Sequence, residues 1–177
     1  QEIMGLEFHV IEHVLIPRQD TEILVETALE KIKEISNPVS LLDMCTGSGC
    51  IVLSILYYMK NKKQITGTGV DISDKALEVA IENAKSLDLS VNFLQSDLFD
   101  KITDKYSMIV SNPPYIRSDV IKTLQEEVRE HDPMLALDGG EDGLRFYRIL
   151  AEEGKKHLAR PGRIFMEIGY DQGKAVK

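Results

Sequence analysis

Asn112-Pro113-Pro114-Tyr115, directly after the apolar run from Tyr106 to Val110, carries the sharpest chemical suggestion in the chain. A residue before proline is pushed into extended backbone, and two prolines in succession stiffen the chain beyond them. The Asn112 side-chain oxygen and the Pro113 carbonyl can then converge as paired acceptors. Such a pair suits one planar NH2 group, engaging both hydrogens and holding the nitrogen toward an electrophile. Pro114 completes the corner, and Tyr115 offers a flat ring to a planar amide or base. The chemistry that fits is transfer of a small group to a planar nitrogen. A plain rigid turn explains the prolines but not the Asn and Tyr around them.

Three other loops follow apolar runs in the same way. Asp43-Met44-Cys45-Thr46-Gly47-Ser48-Gly49 contains two glycines that let a backbone turn tightly and a ligand come close. The dinucleotide fingerprint fails here, because counting from Gly47 its third glycine falls at Val52. A carboxylate at Asp43 also repels a pyrophosphate. A zwitterion suits the loop better, its carboxylate on amides near a helix start and its ammonium on Asp43 or loop carbonyls. The methionine part of S-adenosylmethionine is such a ligand; an ordinary strand–helix turn is the plainer reading. Asp71, 22 residues beyond Gly49, can take two ribose hydroxyls or cap the next helix, a task Ser73 already fills. Asp97 can accept from an adenine amine, with Leu98 or Phe99 over a ring face, or be a simple loop acid.

The elements needed to hold these loops alternate along the chain. Leu6, Phe8, Val10, Val14 and Ile16 fall at even spacing and predict a strand pair over residues 5–16. Asp20 or Thr21 is the expected cap of a helix carrying Leu24, Val25, Ala28, Ile32 and Ile35. Strands are predicted at Leu41 to Met44, Ile65 to Val70, Val91 to Leu94, Tyr106 to Val110 and Arg163 to Ile168. Helices are expected from Ile51 to Met59, after Ser73, around Asp119 to Arg129 and from Gly143 to Leu158. This alternation implies an α/β fold, a doubly wound and mostly parallel sheet with ligands at the carboxyl ends of its strands.

Composition narrows the class. The 177 residues are 43% apolar, enough for a core, and carry 21 basic against 29 acidic side chains, a net charge of −8. That balance argues against broad binding of a phosphate backbone. No apolar run reaches the ~18 residues of a membrane helix, and there is no leader pattern. Two cysteines without a disulfide framework fit a reducing, cytoplasmic setting. His9 with His13, and Cys45 with Cys50, lack the further ligands a metal site needs, so no metal is expected. The start at Gln1 and the unfinished helix at Gly173 to Lys177 read as the ends of a piece of a longer protein.

The chain resembles one family over nearly its whole length. Asn112-Pro113-Pro114-Tyr115 is similar to the motif of amino-methyltransferases acting on adenine, guanine or glutamine. The segment from Leu15 to Glu22, the segment from His131 to Leu144, and Phe165-Met166-Glu167-Ile168-Gly169 with Gln172-Gly173 resemble the release-factor glutamine methyltransferases, the HemK (PrmC) family. The resemblance implies a Rossmann-like class I methyltransferase fold using S-adenosylmethionine. It implies that Cys45 to Gly49 wrap the methionine part, with Asp43, that Asp71 holds the ribose, and that Asp97 and Leu98 border adenine. Asn112 to Tyr115 would hold the glutamine of a Gly-Gly-Gln motif in a peptide chain release factor, Asn112 also touching the cofactor. Residues 1–16 become a hairpin leading to a helical N-terminal domain, and 17–177 the methyltransferase domain. Cys45 stands where the wider pattern often has glycine, which calls for a backbone conformation that a side chain tolerates. Asp132 stands where the family commonly has Glu. An adenine or guanine methyltransferase of nucleic acid, or a cofactor-binding module without catalysis, are the other readings.

Overall fold

The structure, a computed structural model, describes residues 1–11, 14, 18–36, 38–121, 123 and 134–177. A small hairpin, β1 (Glu2–Ile3) and β2 (Leu6–Glu7), precedes helix α1 (Gln19–Glu34). Then come β3 (Val39–Met44), α2 (Cys50–Met59), β4 (Ile65–Asp71), α3 (Asp74–Ser86), β5 (Asn92–Gln95) and β6 (Tyr106–Ser111). Short helices α4 (Ser118–Ile121) and α5 (Met134–Leu137) lead to α6 (Arg145–Gly154), a 3-10 turn at Lys155–His157, β7 (Leu158–Met166) and α7 (Gly173–Val176).

The five larger strands form one sheet in the order β5-β4-β3-β6-β7, every pair parallel. The chain starts at the centre with β3, winds out to β5, then returns to the other side of β3. The carboxyl ends of β3 and β6 therefore flank the point where the winding reverses, the usual ligand crevice of such sheets. Successive residues of a strand face opposite ways. Leu41 packs with Val25, Ala28 and Ile32 of α1 and with α2, whereas Leu42 and Met44 pack with Leu150 of α6 and with Phe99. Helices thus cover both faces, as the alternation predicts.

Helix α2 is buried along nearly its whole length. At Gly67 in β4 an added Cβ would lie 2.8 Å from both Leu56 and Val52, so glycine there lets α2 sit directly on the sheet. Gly49 caps α2 with φ +79°, a left-handed conformation natural only to glycine. It brings no side chain to the exposed helix amides. Asp43 does so from the adjacent strand. One carboxylate oxygen accepts from the Val52 amide at 3.2 Å and from the Thr46 hydroxyl at 2.7 Å. Asn83 of α3 ties the loop from the other side. Its amide donates to the Ser48 and His9 carbonyls, both at 2.9 Å, and its oxygen accepts from the His9 amide at 2.7 Å.

Several boundaries differ from the sequence expectation. The hairpin lies over residues 2–7 rather than 5–16, because Met4 and Gly5 both adopt positive φ and close a two-residue turn. Val14 instead packs against Ala76 and Val79. Asp20 and Thr21 do not cap α1; the cap position is Arg18, and both lie within the first turn. Strand β7 begins at Leu158, five residues before the expected Arg163, because a register shift against β6 absorbs Pro161 and Gly162. Of the helix expected around Asp119 to Arg129, residues 122 and 124–129 lie outside the described residues, as do residues 15–17 and 131–133. Among the described residues no helix is long and apolar enough to cross a membrane.

Asp43 makes the stability of this fold sensitive to pH. It is fully buried, and desolvation pushes its carboxyl up to about 7 against the hydrogen bonds from Thr46 and Val52. The folded chain therefore keeps a proton that the unfolded chain has already released. The resulting stabilisation is complete below the ordinary Asp value near ~4 and is lost as pH rises to about 7. The linkage ceiling is about 4 kcal/mol. Urea denaturation of wild type and Asp43→Asn across this window checks it. The wild type is expected to lose stability relative to the variant as pH rises, and parallel curves would contradict the assignment.

Candidate active site

A cavity of about 290 Å³ opens at the carboxyl ends of β3, β4, β5 and β6. The loop after β3 contributes Cys45, Thr46, Gly47 and Ser48; β4 contributes Asp71. Asp97 and Leu98 come from the loop after β5, and Asn112 and Pro114 from the end of β6. Four separate segments of sequence thus meet around one space. Asp43, Gly49, Pro113 and Tyr115, also expected at the site, are not on its wall.

The case of Asp43 is a correction. It shares a face of β3 with Leu41, the face that α2 covers, so its carboxylate works beneath the loop rather than on the cavity. Gly49 is spent on starting α2. Cys45 also departs from expectation. Its φ is +61°, the left-handed conformation that glycine would take without penalty, held in a side chain by the surrounding loop. Its thiol is pushed well up by burial and by the nearby Asp71 and Asp43 carboxylates, and that of Cys50 up to about 12 by burial. Neither is a thiolate nucleophile.

Asp71 is held rigidly. Its Oδ2 accepts from the Gly47 amide at 2.9 Å and its Oδ1 from the Ser73 amide at 3.0 Å. Burial raises its carboxyl, and these amides oppose the rise. Each oxygen keeps a further acceptor direction, so the pair can take a diol. Ser73 caps α3 as expected, accepting from the Ala76 amide at 3.2 Å.

The corner after β6 is fixed from β7. Glu167 follows that strand and is 8% exposed; its amide donates to the Ser111 carbonyl at 3.0 Å. Its carboxylate accepts from the Thr21 hydroxyl at 2.8 Å, and the strand register sets it beside Asn112. The Asn112 Oδ1 atom is buried and has no hydrogen-bond partner. A buried acceptor without a donor is costly, and this one belongs to a residue on the cavity wall. Gln172 holds the other end of the corner. Its amide donates to the Tyr115 carbonyl at 3.0 Å and the Gly143 carbonyl at 3.2 Å. Its oxygen accepts from the Gly169 amide at 2.9 Å and the Tyr147 hydroxyl at 3.2 Å. Burial raises the Tyr115 phenol and the Glu167 carboxyl.

Sequence reasoning did not foresee roles for Thr21, Arg145 or Phe146. Thr21 lines the cavity, as do Arg145 and Phe146 at the start of α6, with the guanidinium 5.5 Å above the ring. A cation–aromatic neighbour pair opening a helix was the available signal, and it is a weak one. His9 is engaged through its backbone by Asn83, and His13 lies outside the described residues. Among the described residues no group of three or more His, Cys, Asp or Glu is placed to hold a metal ion.

Comparison with known proteins finds relatives by sequence and by fold. Over 177 aligned residues the chain is 45% identical to the release factor glutamine methyltransferase of Agrobacterium fabrum, covering 97% of this chain and 60% of that protein. It is 47% identical to the release factor glutamine methyltransferase of Thermodesulfovibrio yellowstonii, covering 98% of this chain and 62% of that protein. The chain therefore spans about three fifths of the length of these relatives. Its fold is similar to that of a methyltransferase from Pyrococcus furiosus, with a TM-score of 0.66, 16% identity, and coverage of 98% of this chain and 76% of that one. The family model described as the methyltransferase small domain matches residues 19–141. The chain belongs to the methyltransferase small domain family.

Proposed function

We propose that this chain transfers a methyl group from S-adenosylmethionine to the side-chain amide nitrogen of the glutamine in the Gly-Gly-Gln motif of peptide chain release factors. The observation that carries the reading is the buried, partnerless Oδ1 of Asn112 at the rigid corner after β6. The name shared by relatives at 45% and 47% identity supports the same substrate. In this reading residues 17–177 act as the methyltransferase domain, and residues 1–16 lead to a helical domain that helps dock the release factor. The reaction takes place in the cytoplasm, where release factors act.

When bound, S-adenosylmethionine supplies an electrophilic methyl group on its sulfonium. The chain supplies position and electrostatics. Asp71, locked by the Gly47 and Ser73 amides, accepts from the ribose hydroxyls. The loop from Cys45 to Gly49 borders the methionine part, and Asp97 and Leu98 border the adenine. Asn112 Oδ1 and the Pro113 carbonyl accept the two N–H groups of the glutamine amide, with Pro114 and Tyr115 shaping the corner and covering the amide plane. These acceptors strengthen as positive charge grows on the nitrogen, which is where electrostatic help matters most. The alkylated amide sheds its proton readily, so no general base is assigned.

The decisive test is methyl transfer from labelled cofactor by the full-length protein, with a Gly-Gly-Gln release factor, DNA and RNA offered side by side. Label is expected in the release factor; label in nucleic acid would overturn the substrate assignment. Two variants separate the roles within the site. Asn112→Ala is expected to lower kcat by about a hundredfold or more while the cofactor Kd barely moves. Asp71→Ala is expected to weaken cofactor binding by roughly ten- to a hundredfold, read by calorimetry. The reverse pattern would exchange or dissolve these roles.

A further inference from the structure

We propose that Glu167 is a positioning residue that dictates which way the Asn112 amide faces, so that its oxygen and not its NH2 group meets the substrate nitrogen. The proposal rests on the role given to Asn112 above and adds the group that enforces it.

The residues are brought together by the sheet. Ser111 of β6 is paired with Met166 of β7, so the next residues along, Asn112 and Glu167, leave adjacent strand ends together. The Glu167 amide on the Ser111 carbonyl, at 3.0 Å, continues this pairing by one more bond. Glu167 is then anchored from two further elements. The Thr21 hydroxyl of α1 donates to its carboxylate at 2.8 Å, and the Tyr147 hydroxyl of α6, whose one proton is shared with the Gln172 oxygen, lies 3.1 Å from its carbonyl. The side chain that faces Asn112 is therefore fixed in place, with little freedom to follow a change in its neighbour.

A carboxylate has only acceptors, and a primary amide has one acceptor end and one donor end. The strand ends set the Asn112 amide beside the Glu167 carboxylate, and its Oδ1 is the end without a partner, so the donor end is the one that suits the acid. Turned over, the amide would set oxygen against carboxylate oxygen, and its NH2 group would oppose the NH2 group of a substrate amide. Neither contact is a hydrogen bond. The acid thus converts a side chain that could present either end into one that presents an acceptor. In the sequence this acid is the polar residue of the otherwise apolar Phe165-Met166-Glu167-Ile168.

The test uses the full-length protein and the variants Glu167→Gln and Glu167→Asp. Glutamine keeps the volume and an acceptor for Thr21 but can donate to Asn112, so the amide is no longer compelled to one orientation. Aspartate is shorter but keeps the acceptor-only character. The expected result is a fall in kcat of about tenfold or more in Glu167→Gln, with Asp the more active of the two and the cofactor Kd unchanged within about threefold. A role in packing alone gives the opposite order, with Gln tolerated and Asp impaired, and would overturn the proposal. A second readout needs neither cofactor nor turnover. In a 15N-labelled sample, the Asn112 side-chain amide proton is expected downfield and slowly exchanging, as for a proton held on a carboxylate. Absence of that signature in the wild type would overturn the proposal whether or not the variants fold. Should the wild type fail to methylate any release factor, the substrate assignment falls while the amide signature still decides the orientation.

Discussion

Two parallel strands, β6 and β7, end side by side, and the site depends on the effect of this adjacency on one amide. Strand register sets Asn112 beside Glu167. A carboxylate suits only the donor end of that amide, and the buried oxygen at the other end has no partner in the described chain. Most buried polar atoms in proteins are paired, so an exception at the wall of a cavity is a statement about a ligand. It costs stability in the free protein and is repaid only when an N–H arrives. The two prolines hold the corner extended, and Gln172 holds the Tyr115 carbonyl beyond it.

The rest of the fold brings the other half of the reaction to that amide. Winding outward from β3 and back to β6 places the first loop, the acid of β4 and the corner after β6 around one crevice. The first loop is kept in shape from beneath by Asp43 and from the side by Asn83. Asp71 is kept in shape by the loop itself, through the Gly47 amide. The groups facing the cavity are thus positioned by neighbours, some beneath its wall and some on it. Such backing is how an enzyme working by alignment keeps its parts in register without reorganising at the moment of reaction. Cys45 carries part of the cost in its left-handed backbone.

Much of this was readable from the residues because parallel strands covered on both faces are written as continuous apolar runs. The runs at Leu41 to Met44 and Tyr106 to Val110, with a functional loop after each, pointed to the sheet and the crevice. The features that escaped were decided by distant parts of the chain. Thr21 reads as a helix cap, yet its hydroxyl is taken by Glu167, 146 residues later. Pro161 and Gly162 read as a turn, yet a register shift carries them within β7. The Met4-Gly5 turn was missed because methionine is an unusual residue at positive φ. Strand parity could have removed Asp43 from the cavity, since it faces the same way as Leu41. Glu167 has no local signal at all, because an acid at the end of an apolar strand reveals its purpose only when its partner is known.

The most direct measurement is the crystal structure of the full-length protein with S-adenosylhomocysteine and a peptide containing Gly-Gly-Gln. The glutamine amide nitrogen is expected within hydrogen-bond distance of Asn112 Oδ1 and the Pro113 carbonyl, facing the sulfur, with the Asn112 amide donating to Glu167. A glutamine bound elsewhere, or an Asn112 oxygen turned from the sulfur toward Glu167, would contradict the reaction derived from this site.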